Sequence, residues 1–353
     1  MLTVGIIGAG SISDLHLAHY KRHPECVVKS IADCNAELAK AKAEKYGIKN
    51  FCSDYHEILN DPQIDAVCIF TPTFTHKDIV LEAIEKQKHI FCEKPPALNA
   101  DEVKSCAAAA KDYGKCFMYG MVCRFRPQIQ YMKSYIDSGN MGKIFCAEAA
   151  RLFQLTKPQG WFASKKHGGG ILRDGAIHEL DQILYLMGYP KPKSVLSVTS
   201  TLNKDLPYKV ESATSRWKSA DAKVYERDVE DFIKGFITFE DGSGIIIKAS
   251  DILNTVDTGT YIEMNGERAG FKFSPFVKEE RFKMVEISDG NCVAELSPAF
   301  EEQDVFKTEV NHFVNCCLGR EECIIKLWEA ERLMEIIDAI YKSAESGKVI
   351  NFN

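Results

Sequence analysis

Short apolar runs alternate with amphipathic runs along the first third of the chain. Five runs have the length and composition of buried strands: 2–7, 26–32, 65–70, 89–92 and 115–122. Three of the runs between and after them predict helices: 14–22, 76–87 and 100–113. Such alternation is typical of βαβ units, in which helices connect the strands of a parallel sheet. The pattern predicts an open α/β domain over residues 1–122.

Hairpin patterns replace this alternation in the second part of the chain. An extended run at 143–155 and a helical run at 170–186 come first. Three pairs of strand-like runs then follow: 231–239 with 244–250, 261–264 with 269–273, and 282–287 with 292–296. Residues 240–243 and the pair Asn265-Gly266 are expected to form the first two turns. The pattern predicts an α+β domain over residues 123–353 with a large, open, mainly antiparallel sheet.

This sheet is expected to have one face against helices and the other face free. Amphipathic runs at 304–318 and 327–344 predict two helices that close the chain, and the polar run 203–228 is expected to form a mobile loop. A wide, free sheet face usually binds a partner. We therefore expect a homodimer or homotetramer that assembles through the C-terminal sheet.

The turn after the first strand has the glycine spacing of a dinucleotide-binding loop. Its residues are Gly8, Ala9, Gly10, Ser11 and Ile12. The two glycines permit a tight turn and the close approach of a pyrophosphate to a helix amino terminus. The third motif position is Ser13, which is small enough for close packing of helix and strand. The first domain is therefore predicted to be a Rossmann dinucleotide-binding domain.

Asp33 follows the second strand at about the 20-residue distance expected of an acid that binds ribose. Its carboxylate can accept hydrogen bonds from the ribose hydroxyls but would repel a 2′-phosphate. The next residues, Cys34 and Asn35, supply no arginine to bind that phosphate. NAD is therefore expected as the cofactor, and NADP is disfavoured.

Composition excludes several classes of partner. The 353 residues carry 44 Lys and Arg against 50 Asp and Glu, a net charge of −6, so neither nucleic acid nor an anionic membrane is expected as a partner. No apolar run is long enough to span a membrane, and the first residues lack the pattern of a leader peptide.

Thirteen cysteines without a Cys-x-x-Cys motif favour free thiols in the cytoplasm. No metal is expected, because Gln182 stands where a zinc motif beginning at His178 needs histidine.

Candidate chemistry lies at two places in the chain. Lys94 follows the strand that ends near Glu93, at the sheet edge where open parallel sheets bind ligands. Asp174 and His178 stand four residues apart after the glycine run 168–170, a spacing that puts both on one helix face. A cation, an acid/base group and a polar anchor suffice for interconversion of an alcohol and a ketone if a hydride carrier is bound nearby.

Taken together, these motifs give the chain a family resemblance over nearly its whole length. It resembles the glucose–fructose oxidoreductase/inositol dehydrogenase (Gfo/Idh/MocA) family. The matching stretches are Gly8 to Ile12, Thr71-Pro72-Thr73 with His76, Glu93-Lys94-Pro95, Arg124-Phe125, Trp161-Phe162, Gly168 to Asp174, His178 to Asp181, and Glu230-Asp231-Phe232. The resemblance implies an NAD(P)-dependent oxidoreductase that acts on a sugar, cyclitol or related polyhydroxylated substrate.

The resemblance also implies a catalytic trio of Lys94, Asp174 and His178. Lys94 would stabilise the alkoxide that forms as hydride leaves carbon. His178, expected to titrate near neutrality, would accept the proton, and Asp174 would hold a neighbouring hydroxyl or orient the histidine.

Further residues are assigned to ligand binding by the same resemblance. The residues implied to contact the cofactor are Thr71, Pro72, Thr73, His76, Glu93 and Lys94. A cis peptide bond before Pro95 or Pro96 would aim Lys94 inward. Arg124 and Trp161, together with Asp174 and His178, are expected to bind substrate, although a structural role for Arg124 or Trp161 is an alternative. Arg173 and the basic run 165–167 face either an acidic sugar or solvent, and solvent is favoured.

Two other functions are open to a chain with these motifs. Some members of the family use bound NAD for a transient oxidation that permits glycosidic cleavage, with no net redox change. Others are non-enzymatic regulators that bind the cofactor. A regulator needs the pocket but not the proton chemistry, so the presence of Lys94, Asp174 and His178 favours an enzyme.

Overall fold

A computed structural model describes residues 1–153, 160–201, 227–251, 259–277, 281–288 and 292–352. The predicted loop at 203–228 lies almost wholly outside these residues. Within the described residues, no helix is long and apolar enough to cross a membrane.

A six-stranded parallel sheet forms the N-terminal domain. Its elements are β1 (Leu2–Ile7), α1 (Ser11–Tyr20), β2 (Cys26–Ala32), α2 (Ala36–Tyr46), β3 (Asn50–Cys52), α3 (His56–Leu59), β4 (Ala66–Ile69), α4 (His76–Glu85), β5 (His89–Glu93), α5 (Ala100–Ala109) and β6 (Phe117–Gly120). The strand order is β3-β2-β1-β4-β5-β6, with all neighbours parallel. The order reverses between β1 and β4, the place where such sheets bind ligands. The predicted Rossmann fold is confirmed.

A nine-stranded sheet and four long helices form the rest of the chain. Their bounds are α6 (Pro127–Asp137), β7 (Ile144–Leu152), α7 (Ile177–Leu186), β8 (Pro192–Ser200), β9 (Phe232–Phe239), β10 (Gly244–Ser250), β11 (Gly259–Gly266), β12 (Ala269–Phe273), β13 (Phe282–Ser288), β14 (Cys292–Leu296), α8 (Val305–Cys317), α9 (Leu327–Ser346) and β15 (Ile350–Asn351). The order is β14-β13-β12-β11-β7-β10-β9-β8-β15. Among the strand pairs of the described residues, only β7–β10 is parallel, which confirms a mainly antiparallel sheet.

The two faces of this sheet differ in the way its alternating sequence predicts. On β9, Ile233 and Ile237 are fully buried, whereas Phe236 between them is 47 % exposed. Exposed apolar side chains continue across the same face on other strands: Leu196, Val198, Val285 and Ile287. One face therefore contributes to the core, and the other presents an apolar surface in the single chain.

One predicted turn lies at a different position. The run Asn265-Gly266 belongs to β11, where Asn265 pairs with Gly270 of β12. Glu267 and Arg268 connect the two strands instead. The strand extends further because its pairing with β7 continues to Gly266, and this long-range pairing outweighs the local turn preference of Asn-Gly.

The last two helices of the chain return to the N-terminal domain. The Asp338 carboxylate on α9 accepts a hydrogen bond of 2.8 Å from the backbone N–H of Ala100, the first residue of α5. Asp304, the N-cap of α8, lies 3.1 Å from the His19 ring on α1. The domain division at residue 122 stays a prediction, and helices from the second part of the chain cover part of the first domain.

Candidate functional site

The glycine turn after β1 is shaped for close approach of a ligand. Gly8 has a φ of +102°, and a Cβ there would lie 2.7 Å from the backbone of Phe70. Gly10 is the N-cap of α1, and a Cβ at that position would meet no atom within 4 Å. The first glycine is therefore required by the fold of the protein. The second leaves open space in front of a helix amino terminus, which suits a pyrophosphate.

Asp33 lies across this turn from the end of β2. Its carboxylate accepts hydrogen bonds from the backbone N–H groups of Ala9, at 2.8 Å, and Asn35, at 2.9 Å. A carboxylate has about four acceptor sites, so it can still accept bonds from ribose hydroxyls. The fixed orientation of Asp33 toward the glycine turn fits the adenosine half of NAD.

Asp33 leads to a prediction about cofactor choice. The wild type should bind NADH more tightly than NADPH. The double change Asp33→Ser, Cys34→Arg should narrow or reverse this preference, because the variant loses a carboxylate that repels the 2′-phosphate and gains a cation that binds it. Fluorescence titration with both cofactors measures the ratio. Asp33→Asn is the matched control, since it removes the charge but retains a side-chain acceptor. Equal wild-type affinity for the two cofactors would refute the assignment.

The loop after β4 lies beside the glycine turn. The Thr75 hydroxyl donates to the Thr71 hydroxyl at 2.7 Å, and residues Thr73–Thr75 form a single 3₁₀ turn after Pro72. Thr73 is buried. Contacts of these residues with the cofactor stay a prediction, supported by their position directly after β4, the strand next to β1.

His76 bridges two loops of the site. Its ring nitrogens lie 2.9 Å from the carbonyl oxygen of Thr71 and 2.9 Å from that of Pro95, and the side chain is almost fully buried. Burial lowers the pKa of His76. The neutral ring donates to one of the two carbonyls at a time. Its evident role is to hold the β4 loop against the β5 loop, and a direct cofactor contact stays a prediction.

Glu93 ends β5 and is held by a buried partner. The His16 Nε2 atom lies 2.7 Å from Glu93 Oε1, and the backbone N–H of Lys94 donates to Glu93 Oε2 at 3.1 Å. The His16 ring stacks on Phe70, with ring centroids 4.6 Å apart. These contacts fix the end of β5 and so fix the start of the Lys94 side chain.

Lys94 and Asp174, two members of the implied trio, are in direct contact in the structure. The Lys94 ammonium lies 2.9 Å from the Asp174 carboxylate and donates to the Asp174 carbonyl oxygen at 2.7 Å. The bond between Lys94 and Pro95 is cis, which identifies the cis peptide of the double proline. Lys94 comes from the N-terminal sheet and Asp174 from the second part of the chain, so the site lies between them.

The glycine run brings three loops together. A Cβ at Gly168 would lie 2.8 Å from Thr73, one at Gly169 would lie 2.2 Å from the Phe162 carbonyl oxygen, and one at Gly170 would lie 2.7 Å from the carboxylate of Glu230. Glu230 accepts a hydrogen bond from the backbone N–H of Leu172 at 3.1 Å. No larger residue fits at these three positions without displacement, so the run fixes the path of the chain into Asp174.

Asp174 lies on a π-helical turn, not on the regular α-helix that the sequence predicts. Residues Ile171–Ala176 form this turn, and α7 starts directly after it. The wider turn of a π-helix changes the angle between Asp174 and His178, and such turns frequently occur at functional sites. The two side chains remain close to the same end of α7.

His178 is surrounded by positive charge. Its pKa is lowered well below the usual value, first by burial and then by the charges of Lys94, Arg151 and Arg126. The expectation that it titrates near neutrality is therefore wrong for the chain without ligands. Its Nδ1 atom is buried without a hydrogen-bond partner among the described residues. At neutral pH the ring is uncharged and can accept a proton.

The sequence motifs do not include Arg126 or Arg151 in the site. Arg151 is on β7, where its Nη1 atom lies 3.6 Å from the buried Glu179 carboxylate. Arg126 precedes α6 and donates to Gln182 at 3.4 Å. Each contact joins residues far apart in sequence. No local pattern indicates that either arginine lies near His178.

Arg124 has a different role from the one predicted. Its guanidinium donates to both carboxylate oxygens of Asp181, at 2.9 and 2.7 Å, and to Glu329, at 2.5 Å. It also donates to the Tyr189 hydroxyl at 2.9 Å and is only 1 % exposed. All of its nitrogens are bound within the protein, so the prediction that Arg124 binds substrate is wrong. The structural alternative holds.

Trp161 lies on a 3₁₀ turn, Gly160–Ala163, beside the glycine run. Its ring stacks on Phe162, with centroids 3.8 Å apart, and it is partly exposed. Because the Phe162 carbonyl lies against Gly169, the turn is held next to the chain that leads to Asp174. A contact with substrate stays a prediction for Trp161.

Arg173 faces neither substrate nor solvent. Its guanidinium lies 3.5 Å from the Asp338 carboxylate and over the ring of Tyr341, at 4.7 Å from the centroid. Both partners are on α9, so Arg173 joins the start of the α7 segment to the last helix. The favoured expectation of solvent is therefore wrong for Arg173, whereas Lys165 and Lys166 are exposed as expected.

Comparison with known families agrees with this arrangement. The family model described as "Oxidoreductase family, NAD-binding Rossmann fold" matches residues 2–121, and the model described as "Oxidoreductase family, C-terminal alpha/beta domain" matches residues 133–352. The chain therefore belongs to the Gfo/Idh/MocA family of oxidoreductases. It is an NAD-dependent oxidoreductase.

Two named dehydrogenases are similar to this chain over most of their length, and a third relative is similar over about half of its length. D-glucoside 3-dehydrogenase of Escherichia coli is 27 % identical over 98 % of this chain and 96 % of that protein. The NAD-dependent scyllo-inositol 2-dehydrogenase of Bacillus subtilis is 27 % identical over 99 % of this chain and 95 % of that protein. The uncharacterised oxidoreductase YrbE of B. subtilis is 35 % identical, but over 53 % of this chain and 54 % of that protein.

A solved structure extends the likeness to three dimensions. Levoglucosan dehydrogenase in complex with NADH and levoglucosan superposes with a TM-score of 0.84 at 25 % identity, over 99 % of each chain. NADH is thus bound by a protein of the same fold. In the present chain, the open space at Gly10 and the Asp33 carboxylate that faces the glycine turn fit the same cofactor.

Proposed function

We propose that this protein oxidises a secondary hydroxyl of a sugar or cyclitol, or reduces the corresponding ketone, with Lys94, Asp174 and His178 as the residues that act on the reacting oxygen. The observation that carries the proposal is the Lys94–Asp174 contact of 2.9 Å beside a histidine held neutral by its surroundings. NAD, when bound at the carboxyl edge of the N-terminal sheet, accepts or supplies the hydride. Relatives that act on glucosides, levoglucosan and inositol support the substrate class.

Lys94 is the group that we assign to the reacting oxygen. Its side chain is 18 % exposed, so it can reach a ligand while burial limits competition from water. A cation at this oxygen lowers the pKa of the alcohol and stabilises the negative charge that grows during oxidation. Asp174 holds the ammonium in place through two contacts and has a carboxylate that is 44 % exposed, enough to accept a bond from a neighbouring substrate hydroxyl.

His178 is assigned as the proton acceptor in oxidation and the donor in reduction. Because burial and nearby cations favour its uncharged form, its lone pair is available at neutral pH. A proton accepted from the alcohol would place a second positive charge beside Lys94, so the proton must leave quickly to solvent or to Asp174. The half-buried position of His178 permits such an exit.

The proposed function is tested with a substrate panel. Free sugars, cyclitols, uronic acids and alkyl glycosides are each incubated with NAD and with NADP, and absorbance of the reduced nicotinamide is followed. We expect NAD-dependent oxidation of at least one polyhydroxylated compound. Release of free sugar from a glycoside without net NADH would instead identify the transient-oxidation reaction. Tight NAD binding without turnover of any compound would favour a regulator.

We also propose that the exposed face of the nine-stranded sheet forms a homodimer or homotetramer interface. Apolar side chains on this face are about half exposed, among them Leu196 at 50 % and Phe236 at 47 %. The two are direct partners across β8 and β9. A second copy of this chain would remove this surface from water, and such burial contributes roughly 25 cal/mol per Å².

Charged substitutions on this face should dissociate the oligomer. Leu196→Lys with Phe236→Glu retains a favourable cross-strand pair but makes the face polar. Sedimentation velocity should give a dimer or tetramer for the wild type and a monomer for the double variant. Phe51→Glu is the control, because Phe51 is 45 % exposed on β3 of the other sheet. A monomeric wild type would contradict the proposal.

A cytoplasmic location is proposed from the thiols. Twelve of the thirteen cysteines are free thiols in the structure, including Cys68 and Cys92 in buried strands. Free thiols in this number fit a reducing compartment. Fractionation of cells that express the protein tests the location.

A further inference from the structure

A cluster of thiols and one imidazole lies outside the site described above. His312 and Cys316 are one turn apart on α8, and Cys323 is in the loop that joins α8 to α9. Their Nε2 and Sγ atoms all lie within 4.8 Å of one another. Cys116, directly before β6, adjoins this group, and its thiol interacts with those of Cys316, Cys317 and Cys323. We call Cys116, His312, Cys316 and Cys323 the Cys/His cluster.

The His312 ring has the orientation of a metal ligand. Its Nδ1 atom lies 2.6 Å from the Glu321 carboxylate, and its Nε2 atom accepts a hydrogen bond of 3.1 Å from the backbone N–H of Ile324. Nε2 therefore carries the lone pair and Nδ1 carries the hydrogen. Metal-binding histidines commonly donate their other nitrogen to a carboxylate in this way. The ring is 8 % exposed, so the lone pair is held away from bulk water.

The spacing of the cluster agrees with a tetrahedral ion. Zinc binds sulfur at about 2.3 Å and imidazole nitrogen at about 2.0 Å, which at a tetrahedral angle puts the two ligand atoms roughly 3.5 Å apart. The distance between His312 Nε2 and Cys316 Sγ is 3.5 Å. Cys323 Sγ needs only a small shift to the same separation, since it already lies within 4.8 Å of both atoms.

We propose that His312, Cys316 and Cys323, completed by Cys116, bind a structural zinc ion. Three thiols and one imidazole form a closed set of four ligands, which leaves no position for water or substrate. On binding, each thiol releases its proton to solvent and coordinates as thiolate. The backbone N–H of Ile324 turns away from Nε2 as the ion takes the lone pair. No local sequence motif indicates this site, because Cys116 lies 196 positions before His312.

The ion would tie the two parts of the chain together. Cys116 leads into the last strand of the parallel sheet, whereas the other ligands lie on α8 and the following loop. That loop supports the buried arginine described above, because the Ile324 carbonyl oxygen accepts a bond of 3.2 Å from Arg124. Zinc would therefore stabilise the contact of α8 and its loop with the parallel sheet, and its removal should lower the melting temperature without a direct effect on hydride chemistry.

Metal analysis of the whole protein tests the proposal. The protein is purified without immobilised metal or chelator, incubated with zinc chloride and dialysed, and zinc is measured by plasma mass spectrometry. We expect about one zinc per chain in the wild type and below about a tenth in Cys316→Ser and Cys323→Ser. Cys146→Ser is the matched control, because Cys146 is a partly buried thiol on β7 outside the cluster, and it should retain the ion.

X-ray absorption of the zinc-loaded wild type makes the test independent of variant folding. Three sulfur neighbours at about 2.3 Å and one nitrogen at about 2.0 Å are expected. A wild type without zinc, equal zinc in all variants, or a shell of oxygen and nitrogen only would each overturn the proposal. So would a disulfide between two of the proposed ligands in the zinc-loaded protein, located by mass spectrometry of its peptides.

Discussion

Replacement of Lys94 by alanine is expected to lower turnover at least about 100-fold while NAD binding changes little. The variant loses the ammonium that stabilises charge on the reacting oxygen, and it leaves Asp174 without its 2.9 Å partner. The glycine turn and the Asp33 carboxylate, which would hold the adenosine half of the cofactor, lie on other strands. The dissociation constant for NADH should therefore stay within a few-fold of the wild-type value.

Steady-state kinetics on a substrate identified with the panel measure this effect. Lys166→Ala is the control, because Lys166 is an exposed lysine near the glycine run with no place in the proposed chemistry. It should retain wild-type turnover. A Lys94→Ala variant with near wild-type turnover would show that the trio is wrongly assigned. Asp174→Asn is expected to weaken substrate binding more than turnover, since its amide still accepts a bond from Lys94.

His178→Asn is expected to remove the acidic limb of the pH–rate profile and to lower turnover by a factor of about 100 or more. In the oxidation direction the base must be uncharged, so the wild-type rate rises with pH through the pKa of His178. That pKa is lowered by burial and by Lys94, Arg151 and Arg126, so the limb should lie well below 6.5. At neutral pH the wild-type rate should no longer change with the titration of His178, because the ring is already uncharged.

Profiles of kcat and kcat/KM between acidic and neutral pH test this assignment under conditions where hydride transfer limits the rate. Bound NAD and the Lys94 ammonium can shift the acidic limb of the profile along the pH axis, because the titrations of neighbouring groups are coupled. Lys94→Ala removes one of the lowering charges and should move the limb to higher pH. His56→Asn is the control, since His56 is exposed on α3. An unchanged acidic limb in His178→Asn would transfer the proton-accepting role to Lys94 or to water.

Local patterns in the sequence suffice for most of the fold. The predicted strand at 26–32 matches Cys26–Ala32, and the predicted helix at 327–344 matches Leu327–Ser346 within two residues. The pairing of 231–239 with 244–250 is confirmed as an antiparallel hairpin. These elements are predictable because the buried face of each helix or strand sets the spacing at which apolar residues recur in the sequence. The prediction of a turn at Asn265-Gly266 was wrong, because pairing with the distant strand β7 extends β11 to Gly266.

The candidate site is predictable only where residues follow strands or share a helix. Lys94 meets Asp174 because the ends of β5 and the α7 segment converge. The roles of Arg124 and Arg173 depend on Asp181, Glu329 and Asp338, which lie up to about 200 residues away, so no local pattern reveals them. The lowered pKa of His178 has the same origin, since Arg126 and Arg151 reach it from other elements.

Transfer of deuterium is the most direct test of the proposed reaction. A substrate from the panel is labelled with deuterium on the carbon that bears the reacting hydroxyl, and the reduced nicotinamide is analysed by mass spectrometry after a single turnover. We predict that the deuterium appears on the nicotinamide, with a primary isotope effect on the rate, and that transfer is at least about 100-fold slower in Lys94→Ala. Product formation with the deuterium retained on the sugar, or transfer at the wild-type rate in Lys94→Ala, would contradict the account.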